Sequence, residues 1–183
     1  APPLNTETSC ANGAKMEHSL ERPSKERVDT MLNGTFDPSR YKWRSVSIEG
    51  GPHKINHDYT ILGHDLDAGT LDMVVRWSGD GGHCPIHRHT ATTTVIVLEG
   101  EQHLWDIDKG GVVGGHRMRK AGDYALTGAE SLPHLERGGE NGGVVFFGAH
   151  SPTGLLYEIV DEDLNVVSNV TMESILADFA ANT

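Results

Sequence analysis

A chain of 183 residues with a formal net charge of −11 suits one domain with arms at its ends. Its Lys and Arg residues form no block that would neutralise phosphates, which argues against nucleic acid or an anionic membrane surface as a partner. No apolar run approaches the length of a spanning helix. The two cysteines, Cys10 and Cys84, make no disulfide framework and point to a reducing, cytoplasmic setting.

Residues 1–22 are polar, lack a period and carry no signal-peptide pattern, so they read as an arm. Pro23 to Leu32 predicts a short helix ended by Asn33-Gly34, which extends the arm to residue 40. From residue 41 the pattern changes to short strands. Residues 41–49, 57–63 and 70–77 are strand-like, separated by Gly-rich turns. Residues 92–98 form the clearest strand, with β-branched or apolar side chains and no breaker. Glu99-Gly100 reads as a turn into a strand over 101–107. Further strands are expected over 112–119, 123–127, 134–137, 144–149 and 154–160. At the end, Met172, Ile175, Leu176, Phe179 and Ala180 recur at helical spacing behind Thr171 as N-cap. The expected partition is an arm over 1–40, a β-barrel over 41–163 and a helical tail over 164–183. About ten short strands at roughly ten-residue spacing mean a sandwich or a barrel.

The 11 histidines are the anomaly, because His is the commonest metal ligand. His87 and His89 sit two apart, so on an extended strand their rings share one face. His134, behind Pro133 at the start of another strand, can approach them from the side. Neutral imidazoles suit Fe, Zn, Cu, Ni and Mn, and the ligands alone do not choose among these. Thr93 and Val95 share a face on the following strand and are expected to line the pocket. His103, Trp105 and Tyr124 are further candidates for its wall, with core packing the default for the aromatic pair. A neutral hydroxyl is a poor ligand, so Thr93 reads as packing or as a support for a ligand. Arg88, between the two histidines, should point away from them. His53, His57, His64, His116 and His150 read as solvated or structural, and Cys84 as a small buried residue.

The spacing Gly81-x5-His87-x-His89-x3-Thr93-x6-Gly100 resembles the first cupin motif. Lys120-Ala121-Gly122 with Pro133-His134 resembles the second, and the match runs from Leu71 to Phe147. The family usually carries Glu at the place of Thr93 and Pro at the place of Lys120. The resemblance therefore implies a set of three ligands, His87, His89 and His134, like those of the diketone-cleaving dioxygenases. The layout from Val144 to Glu162 and on to the final helix looks like the dihydroxyacetophenone dioxygenase branch. The implied fold is all-β, a cupin-type double-stranded β-helix (jelly-roll barrel) with a short N-terminal helical arm and one C-terminal helix. The implied cofactor is a divalent transition metal, Fe(II) first, with Zn, Ni or Mn as alternatives. The implied reaction is cleavage of a C–C bond in a small diketone, hydroxyketone or phenolic substrate. A Zn- or Ni-dependent isomerase, lyase or cyclase is the alternative, and a non-catalytic metal- or ligand-binding module the second. Without the usual Glu the site is expected to lack an internal base, which favours an already acidic substrate. Cupins commonly pair, so a homodimer is expected.

Overall fold

Alternating apolar and polar residues between Gly-rich turns fold as expected into a curled antiparallel sheet. A computed structural model describes residues 36–183 apart from Val112 and Glu130. The helix expected over 23–32 and Cys10 lie outside the described residues. After a short 3-10 turn at Pro38–Arg40, the strands are β1 (Arg44–Ile48), β2 (Ile55–Asp65), β3 (Thr70–Trp77), β4 (His87–His89) and β5 (Thr92–Ile107). They continue as β6 (Val113–Lys120), β7 (Tyr124–Thr127), β8 (His134–His150), β9 (Leu155–Val160) and β10 (Val166–Thr171), before helix α1 (Met172–Asn182). Their order is β1-β2-β3-β8-β4-β9-β10, and β5 joins β8 to β6 and β7. No helix among the described residues is long and apolar enough to cross a membrane.

Two pairs of expected strands are single long ones. Glu99-Gly100 does not reverse the chain; β5 runs through it with register shifts between Val97 and Glu99 and between Gly100 and Gln102. Gly100 takes a φ of +65°, and a Cβ there would lie 2.5 Å from the Gly142 carbonyl oxygen. Only glycine fits a left-handed backbone so close to the facing strand. The bend lets the first half of β5 pair with β7 and the second half with β6. The stretch 134–137 and the stretch 144–149 likewise merge into β8.

The tail also differs from expectation. Residues 166–171 form an edge strand, mostly exposed and without clear alternation, so no sequence period announced it. The helix is confined to Met172–Asn182 and begins in a capping box: Thr171 Oγ1 accepts from the Ser174 backbone, and Ser174 Oγ accepts from the Thr171 backbone. Met172 and Ile175 enter the core beside Tyr59, Val75 and Phe147. Asp178 of α1 accepts from Arg44 Nε at 3.0 Å and from the Tyr59 hydroxyl at 2.6 Å, which ties the helix to β1 and β2.

Candidate metal centre

Strand β4 is only three residues long and lies between β8 and β9. His87 stands opposite His134 of β8 and Ile159 of β9, while His89 stands opposite Tyr157. Strand parity then turns both β4 rings toward His134. The three side chains are buried, and one nitrogen of each lies within 4.8 Å of the others.

The hydrogen bonds fix which nitrogen that is. His87 Nδ1 meets the Pro85 carbonyl at 2.8 Å, and His134 Nδ1 meets the Leu132 carbonyl at 3.0 Å. A carbonyl only accepts, so both Nδ1 atoms carry the proton. His89 Nδ1 lies 3.0 Å from Thr93 Oγ1, whose own proton goes to the Ala91 carbonyl at 3.2 Å. His89 Nδ1 is therefore a donor as well. In the neutral form of each ring the lone pair is then on Nε2. Burial, reinforced by the imidazole of His87, pulls His134 down to about 4. Burial also holds His89 well below the usual imidazole range, with His87 and His134 adding to the effect. Neutral rings with the second nitrogen anchored are the form in which histidines ligate, and this donor set fits a borderline divalent transition metal.

A carboxylate completes the wall. Glu136 follows His134 by two residues on β8 and is buried. Its Oε1 lies 3.7 Å from His87 Nε2, and its Oε2 accepts from Gln102 Nε2 at 2.8 Å. Gln102, fully buried, in turn accepts from Arg119 Nη1 at 2.9 Å. His87, His89 and Glu136 border a cavity of about 470 Å³ whose apolar walls include Val75, Phe147, Tyr157 and Ile159.

No family model matches the chain, and no curated protein matches it. Solved structures do. An RmlC-like cupin protein from Ralstonia eutropha is 16% identical with a TM-score of 0.59, covering 81% of this chain and 85% of that one. A cupin 2 conserved barrel domain protein from Rhodopseudomonas palustris is 11% identical with a TM-score of 0.55, covering 72% and 87%. An acetylacetone dioxygenase from Acinetobacter johnsonii is 10% identical with a TM-score of 0.56 over the whole of both chains. The fold is that of the cupins.

On this cupin fold the residues singled out from sequence separate into two groups. His87, His89 and His134 come together, and Thr93 holds His89. Arg88 points away, as parity requires, and pairs with Glu158. Val95 is buried in the apolar core and does not border the cavity. His103 and Trp105 do not border it either. The two register shifts in β5 exchange its faces: Thr93, Val95 and Val97 are buried in the first half, but Gln102 and Leu104 in the second. His103 and Trp105 are thereby turned to the opposite side, where both stack with His116. Tyr124 pairs with Ile96, on the alternate face of β5 from Val95, and is 63% exposed.

Sequence reasoning missed two groups. Glu136 places a buried carboxylate on the cavity border, where the missing motif Glu had led to the expectation of none; the signal was its i+2 spacing from His134. His57, expected to be solvated or structural, borders the cavity, and burial lowers its pKa. Cys84 is a free, buried thiol on the same wall, and burial pushes its pKa up.

Proposed function

We propose that this cupin is an enzyme that holds Fe(II) on His87, His89 and His134 and cleaves a C–C bond in a small, neutral, oxygenated ketone such as a β-diketone. The observation that carries the reading is the anchored Nδ1 of all three rings, which leaves Nε2 of each as the ligating atom of one cluster, with His87 and His89 on the cavity border. Fe(II) bound there would supply positive charge to polarise a chelated dione and the redox chemistry with O2. Glu136, whose Oε1 lies 3.7 Å from His87 Nε2, is the base assigned to this reaction. Its Oε1 takes the proton from the carbon between the two carbonyls, giving the enolate. Gln102 holds the other oxygen and keeps the carboxylate aimed. Phe147, Tyr157 and Ile159 exclude water from the substrate's body. The similarity to an acetylacetone dioxygenase, whose name describes that protein's reaction, supports testing this substrate class first.

The presence of Glu136 also favours a second reading, in which Zn or Ni serves as a Lewis acid and only the proton transfer occurs. One experiment separates the two. The protein is reconstituted anaerobically with Fe(II), acetylacetone is added, and O2 uptake is followed with mass analysis of the products. Stoichiometric uptake with both oxygen atoms in two cleavage products is the expected result. No uptake with Fe(II), together with Glu136-dependent deuterium exchange at the central carbon in the Zn form, would replace the first reading with the second.

A further inference from the structure

A second cluster of nitrogen donors lies on the other face of β5, away from the cavity. His103 Nδ1 and His116 Nε2 are 3.0 Å apart, joining β5 to the edge strand β6. His103 Nε2 lies 2.9 Å from Glu101 Oε2. An ionised carboxylate only accepts, so this nitrogen carries the ring proton and Nδ1 presents a lone pair toward His116. The two rings are nearly parallel, at 13°. Trp105 fixes their planes, lying at 18° to His116 and 20° to His103. The Arg137 guanidinium covers Trp105 in turn, 5.3 Å from the ring centroid.

We propose that His103 and His116 form a second metal site, for a borderline divalent cation of the copper, zinc or nickel class. Glu101 acts as the positioning residue that sets the tautomer of His103. Ligating histidines commonly donate their other ring N–H to a carboxylate, as His103 Nε2 does to Glu101. Two imidazoles on one ion at ~2.05 Å, with a bond angle of about 90–110°, stand about 2.9–3.4 Å apart, which includes the observed separation. Two nitrogen donors select against hard cations such as Mg and Ca. His103 and Glu101 border a cleft of about 580 Å³, also lined by Lys120 and Arg137. The remaining coordination positions would open into it, toward water or an anionic co-ligand held by those two cations. The site shares no residue with the three-histidine centre.

The same separation also suits a plain hydrogen bond between the rings, and a metal titration separates the two. Metal-free protein is titrated with Cu(II) at neutral pH, with calorimetry for stoichiometry and electron paramagnetic resonance for nitrogen coupling. Wild type is expected to bind two ions. His116→Gln, a change at an exposed ring, is expected to bind one, and Glu101→Gln to weaken the second ion about tenfold. In His89→Ala the remaining ion is expected to show coupling to two imidazoles and to be lost on adding His116→Gln. A second ion bound equally well by wild type and His116→Gln, or a single wild-type ion that His116→Gln keeps, would overturn the proposal. Two ions retained in His89→Ala would instead count against the three-histidine reading, so the two failures are distinct.

Discussion

Thr93 occupies the place where the cupin motif usually carries Glu, and its hydroxyl bridges His89 Nδ1 to the Ala91 carbonyl. Its task is to hold a ligand rather than to be one. Thr93→Val keeps the shape but leaves the His89 N–H buried without a partner. Metal affinity is expected to fall about 10- to 100-fold, read by competition with a chelator. Apo stability should drop by about 1–3 kcal/mol in urea denaturation. The depressed imidazoles make a second prediction. The unfolded chain takes up protons on these histidines near 6.5, whereas folded His134 takes one only at about 4. The unfolded state therefore binds more protons between these values, and metal-free protein loses stability as pH falls through that window. The slope is about 1.4 kcal/mol per pH unit for each histidine so affected, and it should flatten in His134→Ala. The three histidines were legible because i and i+2 parity needs only a locally extended chain. Glu136 obeys the same parity from His134, but the motif placed the carboxylate elsewhere. His103 and Trp105 were not legible in the same way, because a turn at Glu99-Gly100 leaves the phase of the following strand open, and the register shifts there set it.

At the level of elements, β5 and β8 are the frame, and Gly100 is where one bends. Gly100→Ala must place a Cβ against the Gly142 carbonyl in a left-handed backbone, so destabilisation of at least roughly 2 kcal/mol is expected in denaturant unfolding. Helix α1 depends on a different device. Asp178→Ala removes the partner of Arg44 and leaves the buried Tyr59 hydroxyl without its short hydrogen bond. A loss of about 1–3 kcal/mol is expected, with faster amide exchange in α1. Strand positions were readable wherever alternation and turn residues coincided, as in β3, whose ends match the sequence pattern at both residues. They were unreadable in β10, whose mostly exposed edge carries no alternation, and at Glu99-Gly100, where a bulge uses the same glycine that a turn would.

For the molecule as a whole, the cavity's chemistry sets which compounds enter. Its border includes Glu136 and Asp178 but no Lys or Arg among the described residues. Apart from the bound metal, an anionic substrate would find no cation on that border and would lie beside a buried carboxylate. Acetylacetone should therefore bind the metal-loaded protein at least tenfold more tightly than the carboxylate acetoacetate, measured by displacement of a chromophoric dione. Equal affinity would contradict a penalty set by the missing Lys or Arg and the nearby carboxylate. Beneath all of this lies the convergence of three imidazole nitrogens. The most direct test is anaerobic Fe(II) binding by equilibrium dialysis in the His116→Gln background, with and without His134→Ala. The account predicts one tightly held ion per chain in the first protein and none in the second; an unchanged ion in the second would contradict it.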